Sequence, residues 1–255
     1  METTGQNDDQ LLTHNLSSEE TDLLLICGGD GTINLAVTCL QEHDIEVDSA
    51  IIPLGSANGM AKDLNIPQET HAALQLIKSG KVKNIDVMRV NNRFSVHLSD
   101  LGFNANLIRK FEMYGSRGKW NYARHFFKVL GEQSYSEYSI LMNGEIISFK
   151  AQMVAFANAR RYGTGAVINP NGRWDDGKFE ICMFRPYPWY ALFGITWRFF
   201  TGNINSSPYV QIVSTREAMV MVNPEEVLQI DGEVIGTTSK VEVSISNKPF
   251  RAITG

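Results

Sequence analysis

Apolar positions along the chain change rhythm twice. The first 20 residues are polar and show no apolar period, which predicts a flexible lead-in. Leu23-Leu24-Leu25-Ile26-Cys27 is then an unbroken apolar run closed by glycines, the pattern of a buried parallel strand. Ile33, Ala36, Val37 and Leu40 follow at helical spacing. Ala50-Ile51-Ile52-Pro53 is a second short apolar run, and a further helix starts near Met60. Pro67 suits the first turn of a helix lined by Ala73, Leu76 and Ile77 and stopped by Gly80. Strand–helix–strand–helix is the order of a parallel α/β sheet.

From Ile85 the period shortens. Ile85, Val87 and Met88-Arg89-Val90 run into Asn91-Asn92, after which Phe94, Val96 and Leu98 alternate, as in a hairpin. A helical stretch is expected over roughly 104–130. Short strands follow at 138–142, 146–150, 152–157, 179–184, 209–213, 217–222, 227–230, 233–236 and 240–246. The chain therefore divides into the lead-in (1–20), an α/β domain (21–86) and a strand-rich domain (87–255) whose final strand can return to the first sheet.

Composition narrows the function classes. With 43% hydrophobic and 20% charged residues the chain reads as globular, and a net charge of −5 gives no overall basic field for nucleic acid. Cys27, Cys39 and Cys182 are scattered, which disfavours structural zinc and favours a reducing compartment. No run of about 20 apolar residues occurs, so the expectation is a cytoplasmic protein able to touch the inner membrane face peripherally.

Chemistry concentrates in two glycine loops. Gly28-Gly29-Asp30-Gly31-Thr32-Ile33-Asn34 closes the first strand and Pro53-Leu54-Gly55-Ser56-Ala57-Asn58-Gly59 the second. Parallel strands joined by a right-handed crossover open both loops at one sheet edge. Glycine lets a ligand approach the backbone, and the following helix offers unpaired N–H groups to phosphate. No Lys-Ser/Thr follows, so this is not a Walker A loop, and Asp30 beside a phosphate calls for Mg²⁺ or a proton-transfer step. A pair of ordinary strand-to-helix turns is the alternative.

GGDGTIN followed by PLGSANGMAKDL resembles the two signatures of the ATP-dependent lipid kinase family, which includes the bacterial soluble diacylglycerol kinases and the ceramide and sphingosine kinases. The first signature alone is shared with NAD kinases and phosphofructokinases. The resemblance runs from about residue 21 to the C-terminus. It implies a parallel-sheet nucleotide-binding domain, then a β-sandwich, with ATP and Mg²⁺ in the cleft between them and a lipid alcohol as the phosphate acceptor. It carries nucleotide contacts onto Gly28, Gly29, Asp30, Gly31, Thr32, Ile33, Asn34, Leu35, Gly55, Ser56 and Asn58.

Residues 169–180 resemble the family's Mg²⁺-holding segment, which implies the Asp176 carboxylate and main-chain oxygens at Arg173 and Lys178 as ligands; an Asp-Gly turn is the alternative. Residues 227–235 read as strand, Asp231-Gly232 turn, strand. The family's D-G-E implies Glu233 as acceptor of the lipid hydroxyl proton, supported by Asp231, with Asp30 completing the catalytic set.

Three departures stand out. Relatives begin with an additional strand, an Asn-Pro turn and a helix, whereas about 20 polar residues precede Leu23, so one strand and part of the ATP site are expected to be missing. Leu35 replaces the usual glutamate, and Gly102-Phe103-Asn104-Ala105 replaces Gly-Phe-Asp-Ala. An NAD kinase-like enzyme and a non-catalytic lipid-binding remnant are the competing functions, and a homodimer is compatible with all three.

Two aromatic stretches add lipid-facing candidates. Tyr187, Trp189, Tyr190, Phe193, Trp197, Phe199 and Phe200 suit either an interfacial helix or a core helix. Arg117, Lys119, Arg124, His125 and Lys128 interleave with Trp120, Tyr122, Phe126 and Phe127, which suits anionic lipid or an ordinary solvated helix face. His14, His43, His71 and His97 have no catalytic spacing and are expected to be structural or exposed.

Overall fold

Two sheets share the chain, and the passage from one to the other falls between Ile85 and Met88. The computed structural model describes residues 1–3, 7–18, 21–102, 135–158, 160, 167–188 and 190–255. The helical stretch expected over 104–130, with its basic and aromatic residues, and Phe103, Asn104, Ala105 and Trp189 lie outside the described residues.

In chain order the first half reads α1 (Asp8–Ser18), β1 (Leu23–Gly28), α2 (Asp30–Glu42), β2 (Asp48–Pro53), α3 (Gly59–Asp63), α4 (Thr70–Ser79) and β3 (Lys81–Ile85). The last strand, β14 (Phe250–Thr254), comes from the far end of the chain and inserts between β2 and β3, giving the order β1-β2-β14-β3. It runs parallel to β2 and antiparallel to β3. β1 and β2 are parallel and in register from Leu23–Asp48 to Gly28–Pro53, so their carboxyl ends finish side by side. Ile33, Ala36, Val37 and Leu40 of α2 bury against Ile51, Ile52, Met60 and Phe250, which fixes the helix over the sheet.

Three expectations are corrected here. The lead-in contains a helix: Leu12 and Leu16, one turn apart, pack on the core under α2, and the Thr13 hydroxyl meets Cys39 Sγ at 3.0 Å. With Leu11 turned outward, two apolar anchors in eleven residues are too few to show as a period. β1 is half exposed and not fully buried, because it is the end strand of its sheet and β2 flanks it on one side. α4 starts at Thr70 and not at Pro67, since the Glu69 carboxylate accepts from His71 N (2.9 Å) and Ala72 N (2.8 Å) and caps the helix there.

The second half is antiparallel. It comprises β4 (Met88–Val90), β5 (Arg93–Ser95), β6 (Leu98–Gly102), β7 (Ser136–Met142), β8 (Glu145–Ala151), β9 (Met153–Ala157), β10 (Phe179–Phe184), α5 (Ala191–Thr201), β11 (Val210–Thr215), β12 (Glu217–Ile230) and β13 (Glu233–Ile245). Strand order is β11-β10-β9-β6-β12-β13-β4-β5, with β7 beside β12 and β8 beside β7. The four short strands expected between 217 and 246 are two long ones. β12 serves two partners, β7 along 219–223 and β6 along 228–230, and its register with β13 shifts between Met221 and Glu226. One bent hairpin thus belongs to both leaflets of a β-sandwich.

Alternation along β9 and β10 explains the layering. Val154, Phe156, Phe179, Ile181 and Met183 point into the sandwich core, while Met153, Ala155, Ala157, Cys182 and Phe184 point the other way into a second apolar layer roofed by α5. Strands buried on both faces read as continuous apolar runs.

Candidate functional site

The two glycine loops meet at the carboxyl ends of β1 and β2. Leu54 N donates to Gly28 O (2.9 Å), and the backbones of Gly29 and Gly55 touch so closely that a Cβ on Gly55 would lie 2.5 Å from Gly29 Cα. Here glycine is required by loop-on-loop contact. Asn58, left-handed at φ 50°, turns its Oδ1 back to accept from Gly55 N (2.8 Å) and closes the second loop.

Asp30 locks the pair. Its Oδ2 accepts from Gly59 N and its Oδ1 from Met60 N, both at 3.0 Å, so one carboxylate holds the first turn of α3 from the first turn of α2. A negative group at a helix N-terminus is also favoured by the peptide dipoles. Asp30 therefore has a full structural explanation without a metal or a proton step. Around this lock some groups remain open. Thr32 N and Ile33 N bond Gly29 O, while Gly31 has open space where a side chain would stand. Ser56 is exposed, and Asn34 Oδ1 is buried without a hydrogen-bond partner among the described residues.

A second lock lies across the domain boundary. Asp231 and Gly232 form the two-residue turn between β12 and β13, with φ 47° and 91°. The Asp231 carboxylate accepts four bonds, from Ser95 Oγ (2.9 Å), Val96 N (2.9 Å), His97 N (3.1 Å) and Leu98 N (2.8 Å). Asn158 grips the same segment, donating from Nδ2 to Val96 O (3.1 Å) and Asp86 O (2.5 Å) and from its backbone N to His97 O (3.2 Å). His97 Nε2, buried and without a hydrogen-bond partner among the described residues, stops 3.9 Å from the buried Asp63 Oδ2 at the end of α3. The structure thus links the second glycine loop to the Asp231 turn through α3, Asp63 and His97. Spacing could not reveal His97, because its neighbours come from remote parts of the chain.

Glu233, next after this turn, is 70% exposed and pairs with Arg93 Nη1 at 3.6 Å. Among the described residues its carboxylate makes no bond to either glycine loop.

The 173–178 segment is an Asp-Gly turn. Asp176 Oδ1 accepts from Lys178 N (3.1 Å), Gly177 has φ 68°, and Arg173 bonds the neighbouring Asp175 (3.1 Å). Asp86, at the switch between sheets, accepts from the Gly177 backbone (2.7 Å) and the Asp176 backbone. Burial chiefly pushes the Asp86 carboxyl up, and the Asp176 and Asp175 charges add to that, against these N–H donations. An oxygen-only donor set beside crowded carboxylates fits a hard divalent cation held by Asp176 and main-chain oxygens. Among the described residues no group of three or more His, Cys, Asp or Glu side chains gathers as a metal cluster.

Similarity to known proteins follows the same division. Residues 1–90 match the diacylglycerol kinase catalytic domain, and residues 97–249 match the YegS C-terminal NAD kinase beta sandwich-like domain. A Staphylococcus carnosus protein named "Putative lipid kinase" is 26% identical over 236 residues, 89% of this chain and 75% of its own. A similarly named Staphylococcus aureus (strain JH9) protein is 27% identical over 241 residues, again 89% and 75%. A crystal structure of a diacylglycerol kinase from Bacillus anthracis superposes with a TM-score of 0.77 at 20% identity, covering 100% of this chain and 84% of that one. An NAD kinase from Archaeoglobus fulgidus in complex with ATP is more distant, with a TM-score of 0.54 at 11% identity over 99% and 83% of the two chains. At these identities the structural likeness concerns the fold.

Proposed function

Since the chain belongs to the kinase family that joins a diacylglycerol kinase catalytic domain to a YegS C-terminal NAD kinase beta sandwich-like domain, we propose that it transfers the γ-phosphate of ATP to the hydroxyl of a diacylglycerol-like lipid alcohol. The observation that carries this reading is the locked pair of glycine loops at the end of two parallel strands. ATP phosphates lie over the first turn of α2, where the open space at Gly31 admits them and the positive end of the helix dipole favours their charge. Gly28, Gly29, Thr32 and Gly55 set the backbone path. The exposed Ser56 hydroxyl and the Asn34 Nδ2 amide supply side-chain donors, and Leu35 contributes through its backbone.

The lipid oxygen forms a bond to the γ-phosphorus as the bond from that phosphorus to the β-bridging oxygen breaks. The products are a lipid phosphate and ADP. Glu233, exposed beside the Asp231 turn, takes the hydroxyl proton. Asp231 acts as a positioning residue, because its four hydrogen bonds to Ser95, Val96, His97 and Leu98 hold segment 95–98. A Mg²⁺ accompanying ATP would neutralise phosphate charge, and a separate Mg²⁺ held by Asp176 and the main-chain oxygens of Arg173 and Lys178 would stiffen the second domain.

Incubating the protein with labelled ATP, NAD and a mixed lipid extract tests the reading. Label in the organic phase is expected. Label in NAD would make the chain an NAD kinase-like enzyme, and no transfer would make it a lipid-binding protein. Glu233→Gln should lower lipid phosphorylation by roughly 10²- to 10⁴-fold with ATP binding unchanged, the contribution of a positioned general base. Lost ATP affinity with turnover kept at saturation would assign Glu233 to binding instead.

A further inference from the structure

Helix α5 is apolar on both sides. Ala191, Ile195 and Phe199, spaced four apart, pack on the β6–β9–β10 layer, and the Phe199 ring stacks on Phe184 with centroids 5.8 Å apart. On the opposite side Phe193, Trp197 and Phe200 are 69%, 71% and 69% exposed, joined at the helix start by Tyr190 at 63%. A surface helix of a globular protein ordinarily turns a polar face to water. The one charged residue of the helix, Arg198, lies along its flank, donating from Nη1 to Gly194 O and from Nε to Ser206 Oγ, both at 3.1 Å. The charged residues close to the helix in sequence are Arg198 and Arg185, the latter next to Phe184, with no Asp or Glu between them, in a chain of net charge −5.

We propose that this outer face of α5 docks the protein on an anionic phospholipid bilayer, with Tyr190, Phe193, Trp197 and Phe200 entering the boundary between headgroups and acyl chains. The inference rests on the lipid kinase reading, which requires the enzyme to meet its acceptor where that lipid resides. Three features select a bilayer over other occupants. An 11-residue helix is about 16 Å long, too short to cross a bilayer and suited to lying in its interface. Trp and Tyr are the side chains that favour that depth. Arg185 and Arg198, with no acidic residue between them in sequence, match an anionic surface that the chain as a whole would be repelled by. A second copy of the chain fits less well. Four aromatic side chains of about 150–250 Å² each, roughly two-thirds exposed, offer on the order of 400–650 Å². A stable dimer buries about 800 Å² per partner.

Sedimentation of the full chain with vesicles of phosphatidylcholine and phosphatidylglycerol tests this. The wild type should pellet with the vesicles, and a Phe193→Ser, Trp197→Ser double variant should bind at least about tenfold more weakly with an unchanged melting temperature, since both side chains stand in water. Phe200→Ser alone should weaken binding by a smaller factor. Kinase turnover on a short-chain lipid alcohol dispersed in detergent should stay at the wild-type rate in the double variant. Wild-type vesicle binding by the variant overturns the docking face, as does a wild-type dimer that the double variant dissociates. Vesicle binding that the variant loses, in a protein that phosphorylates no lipid, upholds the docking face and removes the kinase reading instead.

Discussion

Asp30 in the first domain and Asp231 in the second stand beside glycines where a strand ends, and both carboxylates fasten backbone that lies far off in sequence. They differ in what they fasten. Asp30 takes two N–H groups from α3 and so holds one loop of the site against the other. Asp231 takes three N–H groups and a hydroxyl from the 95–98 segment, which in turn meets α3 through His97 and Asp63. The first lock sets the shape of the paired loops proposed to cradle phosphate, and the second holds segment 95–98 to the turn that precedes Glu233. Both signature aspartates organise backbone, while the groups proposed to meet the substrates are the less distinctive Gly31, Ser56 and Glu233.

Removing the second lock should have the largest effect. Asp231→Ala leaves four donors without their acceptor, and each buried donor left unpaired costs roughly 1–3 kcal/mol. Water reaches part of this site, so the expected loss is about 3 kcal/mol or more, read from urea unfolding midpoints at unchanged slope. Asp231→Asn keeps an acceptor oxygen and should lose less. Equal losses in the two variants would show that the turn, and not the carboxylate, matters.

The loop contact comes next. A Cβ at Gly55 would sit 2.5 Å from Gly29 Cα, backbone against backbone, so Gly55→Ala should cost about 1–3 kcal/mol and weaken ATP binding. Gly31→Ala is the contrasting variant. Among the described residues nothing lies within 4 Å of that position, so the fold should be unharmed while the methyl group intrudes where phosphate is proposed to sit. Calorimetric ATP titration with thermal melts separates the two. Gly31→Ala leaving ATP affinity intact would move the nucleotide away from the first turn of α2.

Much of this comparison could be read from local pattern. The parallel order of β1 and β2 and their loops follows from two apolar runs ending in glycine, and the Asp231-Gly232 turn from a dipeptide whose residues tolerate positive φ. Contacts between remote segments could not be read that way. Nothing near Asp30 in sequence announces that its partners are Gly59 N and Met60 N. Nothing near His97 announces Asp63, and Asp86 gave no sign that it would accept from the 173–178 turn. Helix α1 was equally hidden, because two leucines packing on a distant core leave no periodic trace. Period reports which face is buried; it does not report what buries it.

Asp30→Ala should destabilise less than Asp231→Ala or Gly55→Ala, and it gives the sharpest division of roles. If its carboxylate serves only as the cap of α3, Asp30→Ala should cost about 1 kcal/mol, within the roughly 0.5–2 kcal/mol of lost N-caps, because Gly59 N and Met60 N then lack a partner at the start of a short helix. Asp30→Asn retains one acceptor oxygen and should recover part of that stability. ATP affinity should follow stability across the two variants, since α3 carries the second loop. A catalytic carboxylate behaves differently: Asp30→Asn would then abolish turnover while the melting temperature and ATP affinity stayed near wild type. Measuring all three quantities on both variants decides between a lock and a chemical group. The two 3.0 Å bonds predict that turnover falls in step with stability and affinity, not alone.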